Sequence, residues 1–251
     1  KLTGPAQDLH SGIYGGAVDN PAMVLAQILA KLRAKNGKVA VPGFYDDVEP
    51  LTAYERRMFK RLPINAEQFR KLVGSPQLYG EKGYTHHEQR SARPTLEING
   101  LTSGYQGEGS KTIVPSWASA KLTMRLVPNQ NPKRILKQVK DQIRALCPPT
   151  VRLKMQDGHA GGSYVIDPTC SLAQAGLRAL EEAFGCEPVL LREGGSIPIV
   201  SDFKQILKAD SLLLGLALPD DNLHSPNEKF DLGNYAKGAR MSAILWRELG
   251  K

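Results

Sequence analysis

Cysteine is scarce in this chain. Cys147, Cys170 and Cys186 are its three thiols, odd in number and without C-x-x-C spacing. That argues against a disulfide framework and a thiolate zinc site, and it fits a reducing cytoplasm. Long apolar runs are also missing. None approaches the roughly 18 residues of a membrane-spanning helix, so no membrane partner is expected. The start, "KLTGPAQDLHSG", has neither an initiator methionine nor the design of a signal peptide. The chain is therefore expected to begin in the middle of a longer protein. Lysine and arginine exceed aspartate and glutamate, 33 to 25, for a formal charge of +8. The basic residues lie on solvated helix faces such as "NPKRILKQVKDQIR", with no interleaved stacking aromatics, which argues against a nucleic-acid partner.

Two common catalytic motifs are incomplete. In "GYQGEGSKT" Ser110 stands between Gly109 and Lys111, so the lysine is one residue out of place for a phosphate loop. A glycine-hinged loop delivering Thr112 to a site is the better reading. Ser196, an acid and His224 follow the chain order of an α/β-hydrolase triad, but Gly194-Gly195-Ser196 runs into Ile197-Pro198 rather than completing G-x-S-x-G. Ser196 then reads as a turn residue whose hydroxyl or backbone N–H binds something, with serine hydrolysis a weaker rival.

What is present is a soluble-globular composition, 41% hydrophobic and 23% charged, over 251 residues, enough for one large or two ordinary domains. "DNPAMVLAQILAKLRAKNG" predicts a helix capped by Asn20, with Val24, Ile28, Leu29 and Leu32 as its apolar stripe and Gly37 at its end. Capping boxes at Thr52/Glu55 and Asn65/Gln68 predict two short helices in an inserted segment of about 38–95. "WASAKLTMRLV" alternates, with Ala118, Ala120, Leu122, Met124 and Leu126 on one face and Arg125 among the polar residues of the other, as a half-buried strand does. "NPKRILKQVKDQIRALCPP" predicts the next helix and "TVRLKMQDG" a strand. This is an α+β layer domain over 1–155. A helix at 169–184, strands at "EPVLLRE" and "SLLLGLAL" and a final helix predict a second, α/β domain over 156–251, thin for an independent sheet.

His224, in the polar loop "DDNLHSPNEKF", is presented as a metal ligand or catalytic base is, but it needs companions from other segments. His86 and His87 are adjacent and read as a solvated loop. His159 sits in a glycine-rich turn, and Glu181-Glu182 reads as the solvent face of a helix.

Five ordered segments, "DLHSGIYGGAVDNPA", "ARPTLEINGLTSGYQGEGSKTIVP", "KLTMRLVPNQNP", "LLREGGSIP" and "NLHSPNEKF", resemble the dipeptidase branch of the two-zinc aminopeptidase/deacylase clan, which includes carnosinases, aminoacylases and acetylornithine deacetylases. The resemblance implies a ferredoxin-like lid that forms a homodimer, followed by the C-terminal half of an α/β zinc-peptidase catalytic domain. It further implies hydrolysis of dipeptides or N-acyl amino acids that carry a free carboxylate. His224 matches the last ligand of a two-zinc site whose other ligands and catalytic glutamate precede residue 1. Zinc there would polarise the scissile amide and acidify a bridging water. Arg125 matches the arginine that forks onto the substrate carboxylate. Ser196 and Gly195 match the loop holding the same end, and Thr112 a lid hydroxyl near it. His10 matches the lid histidine that contacts the carbonyl oxygen, in trans across the dimer; without the resemblance it reads as a capping or core histidine. "EQRSARPT" departs from the branch, which often carries an aromatic before "ARPT". The alternative is a non-catalytic dimerisation and ligand-binding module derived from that family.

Overall fold

Along the chain the elements are β1 Leu2–Thr3, β2 Leu9–His10, α1 Ser11–Tyr14, α2 Pro21–Lys31, α3 Ala53–Lys60, α4 Ala66–Leu72, α5 His86–Ala92, β3 Thr95–Ser103, β4 Ile113–Val114 and β5 Trp117–Arg125. They continue as α6 Pro132–Leu146, β6 Arg152–Leu153, α7 Ser171–Phe184, α8 Pro198–Asp202 and α9 Leu232–Leu249. The structure is a computed structural model that describes residues 1–193 and 197–251. These fall into two units. The first comprises Lys1–Leu51, Pro63–Ser163 and Glu193, and the second Thr52–Leu62, Tyr164–Arg192 and Ile197–Lys251.

In the first unit four strands form a sheet in the order β3-β5-β1-β6, every neighbour antiparallel. With α2 after β1 and α6 after β5, this is a β-α-β-β-α-β arrangement of ferredoxin-like order, as the resemblance implied. The alternation read in "WASAKLTMRLV" is realised: Ala118, Leu122 and Met124 turn to the core, and Lys121, Thr123 and Arg125 are exposed. Asn20 accepts from the Ala22 amide and Pro21 fills the first turn of α2, so the helix starts where the sequence requires. It ends earlier than expected, at Lys31, because residues 32–40 double back through an Arg33↔Val39 bridge. Gly37, at φ +87°, supplies the left-handed turn there. Val24, Ile28 and Leu32 of the α2 segment and Ile135 and Val139 of α6 pack on Leu2 and Ala118 of the sheet. Each fully buried aliphatic side chain contributes about 1.5–3 kcal/mol.

The histidine pair corrects the sequence reading. His86 and His87 are not in a solvated loop but open α5, because Thr85 and Glu88 form a capping box. The His86 ring stacks on Phe69 of α4 with centroids 4.7 Å apart. His87 is buried, and its Nε2 lies 2.8 Å from the Ile64 carbonyl.

In the second unit α7 and α9 pack through Ala179, Ala183, Met241 and Ile244. Gly176 and Gly238 lie in these helices where a Cβ would stand 2.3 Å from Leu212 and 2.4 Å from Leu216, so their bare backbones let the leucines approach. The strands expected at "EPVLLRE" and "SLLLGLAL" are a second correction. Neither segment pairs as a strand among the described residues. Leu212, Leu214 and Leu216 still alternate inward as strand residues would, while Leu213 is exposed. The side-chain period is present and the hydrogen-bonding neighbour is not. The strand expected in "TVRLKMQDG" is realised only at Arg152–Leu153.

Candidate functional site

His10 and Thr112 are brought together by backbone pairing. β2 runs antiparallel to β4 with His10 opposite Ile113, and the Ser11 amide donates to the Thr112 carbonyl at 3.0 Å. Asp8 secures this ladder, since its Oδ1 accepts from the Ser116 amide at 2.8 Å and the Ser116 hydroxyl at 2.9 Å. Those bonds hold the Asp8 carboxyl below its ordinary range. The loop delivering Thr112 is built on turns. Gly104 and Gly109 take positive φ, and the Tyr105 hydroxyl donates to the Glu108 carbonyl at 3.0 Å. Both His10 and Thr112 are exposed.

His10 is itself the cap of α1. Its Nδ1 accepts from the Gly12 amide at 3.1 Å. A neutral imidazole that accepts at Nδ1 carries its proton on Nε2, so the exposed ring presents a donor held in orientation by the cap. The capping role that residue type alone suggests and the donor role that the resemblance implies are thus compatible in one side chain.

Arg125 closes β5, exposed, opposite Thr95 of β3. β2 and β4 form their own two-stranded sheet, and two residues separate β4 from Trp117, so along the chain the His10–Thr112 pair adjoins the Trp117 end of β5 while Arg125 closes the other. The approach to Thr95 is rigid. Arg93 and Glu81, both buried, form a two-pronged ion pair at 2.7 and 2.9 Å, and Arg93 lies over the rings of Tyr84 and Tyr45.

His224 belongs to the second unit, exposed, in a loop with unusual backbone. Asn222, His224 and Asn227 have φ of +55°, +61° and +59°. Left-handed conformation at a non-glycine residue costs about 1–3 kcal/mol and persists where surrounding structure enforces it, often at functional loops. Asp221 is the enforcer. It is 1% exposed, accepts from the Leu218 amide at 2.7 Å and from Lys229 Nζ at 3.0 Å, and its carbonyl takes the Lys229 amide. The Leu218 amide, and then Lys229, hold its carboxyl below the usual range. The His224 amide donates to Glu228. Sequence reading singled out His224 but missed Asp221; the short Asp-to-Lys separation across the loop was the available signal.

Gly195 and Ser196 lie outside the described residues. His159 is exposed and outside any helix or strand, and Glu181-Glu182 lies on the exposed face of α7, with Glu182 paired to Arg247 of α9. Among the described residues no three His, Cys, Asp or Glu side chains gather as a metal would require. His224 offers one nitrogen, and one donor does not make a coordination sphere. The described residues therefore do not fit a metal by themselves.

The first unit defines an α+β domain of ferredoxin-like order with a helical insertion. Residues 1–151 match the family model M20_dimer, peptidase dimerisation domain, and the chain belongs to that family. The chain is 33% identical to the Cys-Gly metallodipeptidase dug1 of Schizosaccharomyces pombe over 99% of its own length and 53% of that protein. It is 30% identical to the Beta-Ala-His dipeptidase of Mus musculus over 98% of its length and 50% of that protein. Among solved structures, the di-peptidase Dug1p of Saccharomyces cerevisiae superposes with a TM-score of 0.82 at 31% identity, covering 98% of this chain and 52% of that one. The chain spans about half the length of the relatives it matches.

Proposed function

We propose that this chain is the lid, about 1–155, and the C-terminal part of the catalytic domain, about 156–251, of a zinc-dependent metallopeptidase. The enzyme hydrolyses dipeptides or N-acyl amino acids with a free C-terminal carboxylate. The observation that carries the reading is His10. Its ring is exposed, its Nδ1 is occupied by the Gly12 amide, and its Nε2 proton is available to a substrate carbonyl oxygen. Similarity to metallodipeptidases over nearly the whole chain supports it. Arg125 takes the substrate carboxylate, Gly195 and Ser196 hold the same end, Thr112 serves beside His10, and His224 is one metal ligand. The two zinc ions take their remaining ligands from polypeptide outside this chain.

The enzyme acts as a homodimer. β3 is a nine-residue edge strand with Ile98 and Leu101 exposed, a surface suited to pairing with a second chain. The placement of His10 and Thr112 next to the Trp117 end of β5 along the chain, and of Arg125 at the other, supports a site in which the histidine comes from the partner. The cytoplasmic setting rests on Cys147, Cys170 and Cys186, which are all free. Among the described residues no helix is long and apolar enough to cross a membrane.

The second reading is a non-catalytic dimerisation and ligand-binding module, and the match of residues 1–151 to a peptidase dimerisation domain supports it. In the whole enzyme, Arg125→Lys replaces a planar fork with a point charge. It is expected to lower kcat/KM on free-carboxylate dipeptides by about 1.5–3 kcal/mol in transition-state terms. C-terminally amidated substrates should be poor for the wild type and little changed by the substitution. Equal losses on both substrate types would make Arg125 structural, and no hydrolysis by the wild type would favour the module.

A further inference from the structure

In the helical insertion of the first unit, α4 buries no residue fully. Arg70 bonds to Glu67 within the helix and to the Ser75 and Pro76 carbonyls just beyond it, so these bonds fold the segment on itself. Half-buried Phe69 is what reaches out to α5. Its ring stacks on His86, with centroids 4.7 Å apart and planes at 23°, and the Arg90 guanidinium lies 5.8 Å from the same ring. The His86 ring in turn lies 3.9 Å from that of His87. The chain is fastened on either side of α4. Before it, His87 Nε2 donates to the Ile64 carbonyl at 2.8 Å; after it, Tyr79 lies under the Arg33 guanidinium at 4.9 Å, and Gln89 donates to the Glu81 carbonyl at 2.9 Å.

The stack suits a neutral His86. Its Nε2 is buried without a hydrogen-bond partner among the described residues, as is Nδ1 of His87. An imidazolium carries a proton on both nitrogens, so a charged His86 has a buried Nε2–H with no acceptor. Its charge also stands against the His87 ring and one helical turn from Arg90, a like charge at i+4. The carboxylates of the two helices are engaged elsewhere: Glu88 accepts from the Thr85 amide at 2.7 Å, and Glu67 is taken by Arg70 and Lys71. Burial, then His87 and Arg90, hold the His86 pKa below 6.5, and the Ile64 carbonyl opposes them with the smallest influence of the four.

We propose that the Phe69–His86 stack is an acid-released latch: α4 is docked on α5 while His86 is neutral, and protonation of that ring frees residues 65–78 between the fastenings at Ile64 and Tyr79. Release leaves His86 in water at its ordinary 6.5, whereas docking lowers it. Docking is therefore complete above pH 6.5 and is lost as the pH falls through the docked value. One proton is linked to opening, so the docking constant falls by up to about tenfold per pH unit between those two points. The freed helix uncovers Phe69 one turn from Leu72 and Val73, which are already 48% and 51% exposed, and presents an apolar surface in acid. The latch does not depend on the peptidase reading.

Hydrogen exchange followed by mass spectrometry on the 251-residue chain reads the latch, at pH 7.5 and 5.5 with rates corrected for the intrinsic effect of pH. Residues 66–75 should lose protection at pH 5.5 by up to about tenfold, the limit for one proton over one unit below 6.5, while 81–92 keep theirs. His86→Phe keeps a ring against Phe69 and leaves the Thr85/Glu88 capping box in place, but takes up no proton. Its exchange over 66–75 should be the same at both pH values. Acid sensitivity that persists in this variant, or a wild-type loss that runs equally through 81–92, would overturn the latch. In the wild type, the NMR signal of the His86 ring should titrate below pH 6.5 and in step with the exchange over 66–75. A ring that titrates at or above 6.5, or exchange that changes where the ring does not, would also overturn it, and this measurement decides should His86→Phe leave α4 undocked at both pH values.

Discussion

Removing Arg93 should destabilise the first unit far more than removing another of its arginines that forms an ion pair. Arg93 is 7% exposed and Glu81 6%, and their two bonds of 2.7 and 2.9 Å satisfy both carboxylate oxygens. Arg93→Met keeps much of the volume but leaves a buried carboxylate without its fork. Breaking a buried pair from one side costs about 3–5 kcal/mol. Lys38, 3.6 Å from Glu81 and half-exposed, can follow the orphaned charge, which sets the expectation at the lower end, about 3 kcal/mol. Contacts with Tyr84 and Tyr45, at 4.5 and 5.1 Å, are lost as well, at about 0.5–2 kcal/mol each. The internal control is Arg33→Met. Arg33 pairs with Glu97 at 3.3 Å, but both side chains are about half exposed, and its loss should cost no more than about 1 kcal/mol. Replacing both Glu81 and Arg93 by apolar residues should cost less than the sum of the single changes, because no charge is then stranded. Urea unfolding in a Trp246→Phe background measures this, since Trp117 then reports the first unit alone. If Arg93→Met loses no more stability than Arg33→Met, burial is not what makes this pair matter.

Glu248 of α9 accepts from Lys251 at 2.7 Å and Arg178 of α7 at 2.8 Å, and these bonds hold its carboxyl down to about 2 from an ordinary 4.5. A depressed acid stabilises above its unfolded value, so the second unit should lose stability as pH falls from 4.5 toward about 2, and a Glu248→Gln variant that acid-unfolds with an unchanged profile would refute this. For His86, burial, then its neighbours His87 and Arg90, lower the pKa from 6.5. The folded state resists a proton that the unfolded chain accepts, so stability is full above pH 6.5 and falls as the pH drops through the folded value; His86→Leu should flatten the change in urea midpoint between pH 7.5 and 5.5. His10→Ala should cut turnover of the whole enzyme by about a hundred- to a thousandfold with metal content intact, as loss of an oxyanion donor does. Hybrid dimers made by exchanging subunits of His10→Ala with His224→Ala should regain about half of wild-type activity if His10 acts in trans, and a dead mixture with confirmed exchange would refute it.

Local chemistry was legible in the sequence because it is decided within a few residues. Asn20-Pro21, Thr52-x-x-Glu55 and Asn65-x-x-Gln68 cap helices by bonds that span two or three positions, and those helices start where the sequence places them. The period-two pattern of residues 117–125 likewise determined which face of β5 is buried and left Arg125 outside. Thr85-x-x-Glu88 carried the same signal and was passed over, which is why His86 and His87 were expected in solvent.

Long-range pairing was not legible. That His10 would stand beside Ile113 depends on a ladder between residues about a hundred positions apart, and nothing local to either strand specifies its partner. The alternation in "SLLLGLAL" declares an inner face, but hydrogen bonds to a neighbouring strand make a sheet, and no such neighbour is among the described residues. Glu55 shows the division within one side chain. Its bond to Thr52 is a helix cap that the sequence alone determines, while its bond to Arg192, 137 residues away, exists only because the folded chain carries α3 into the second unit.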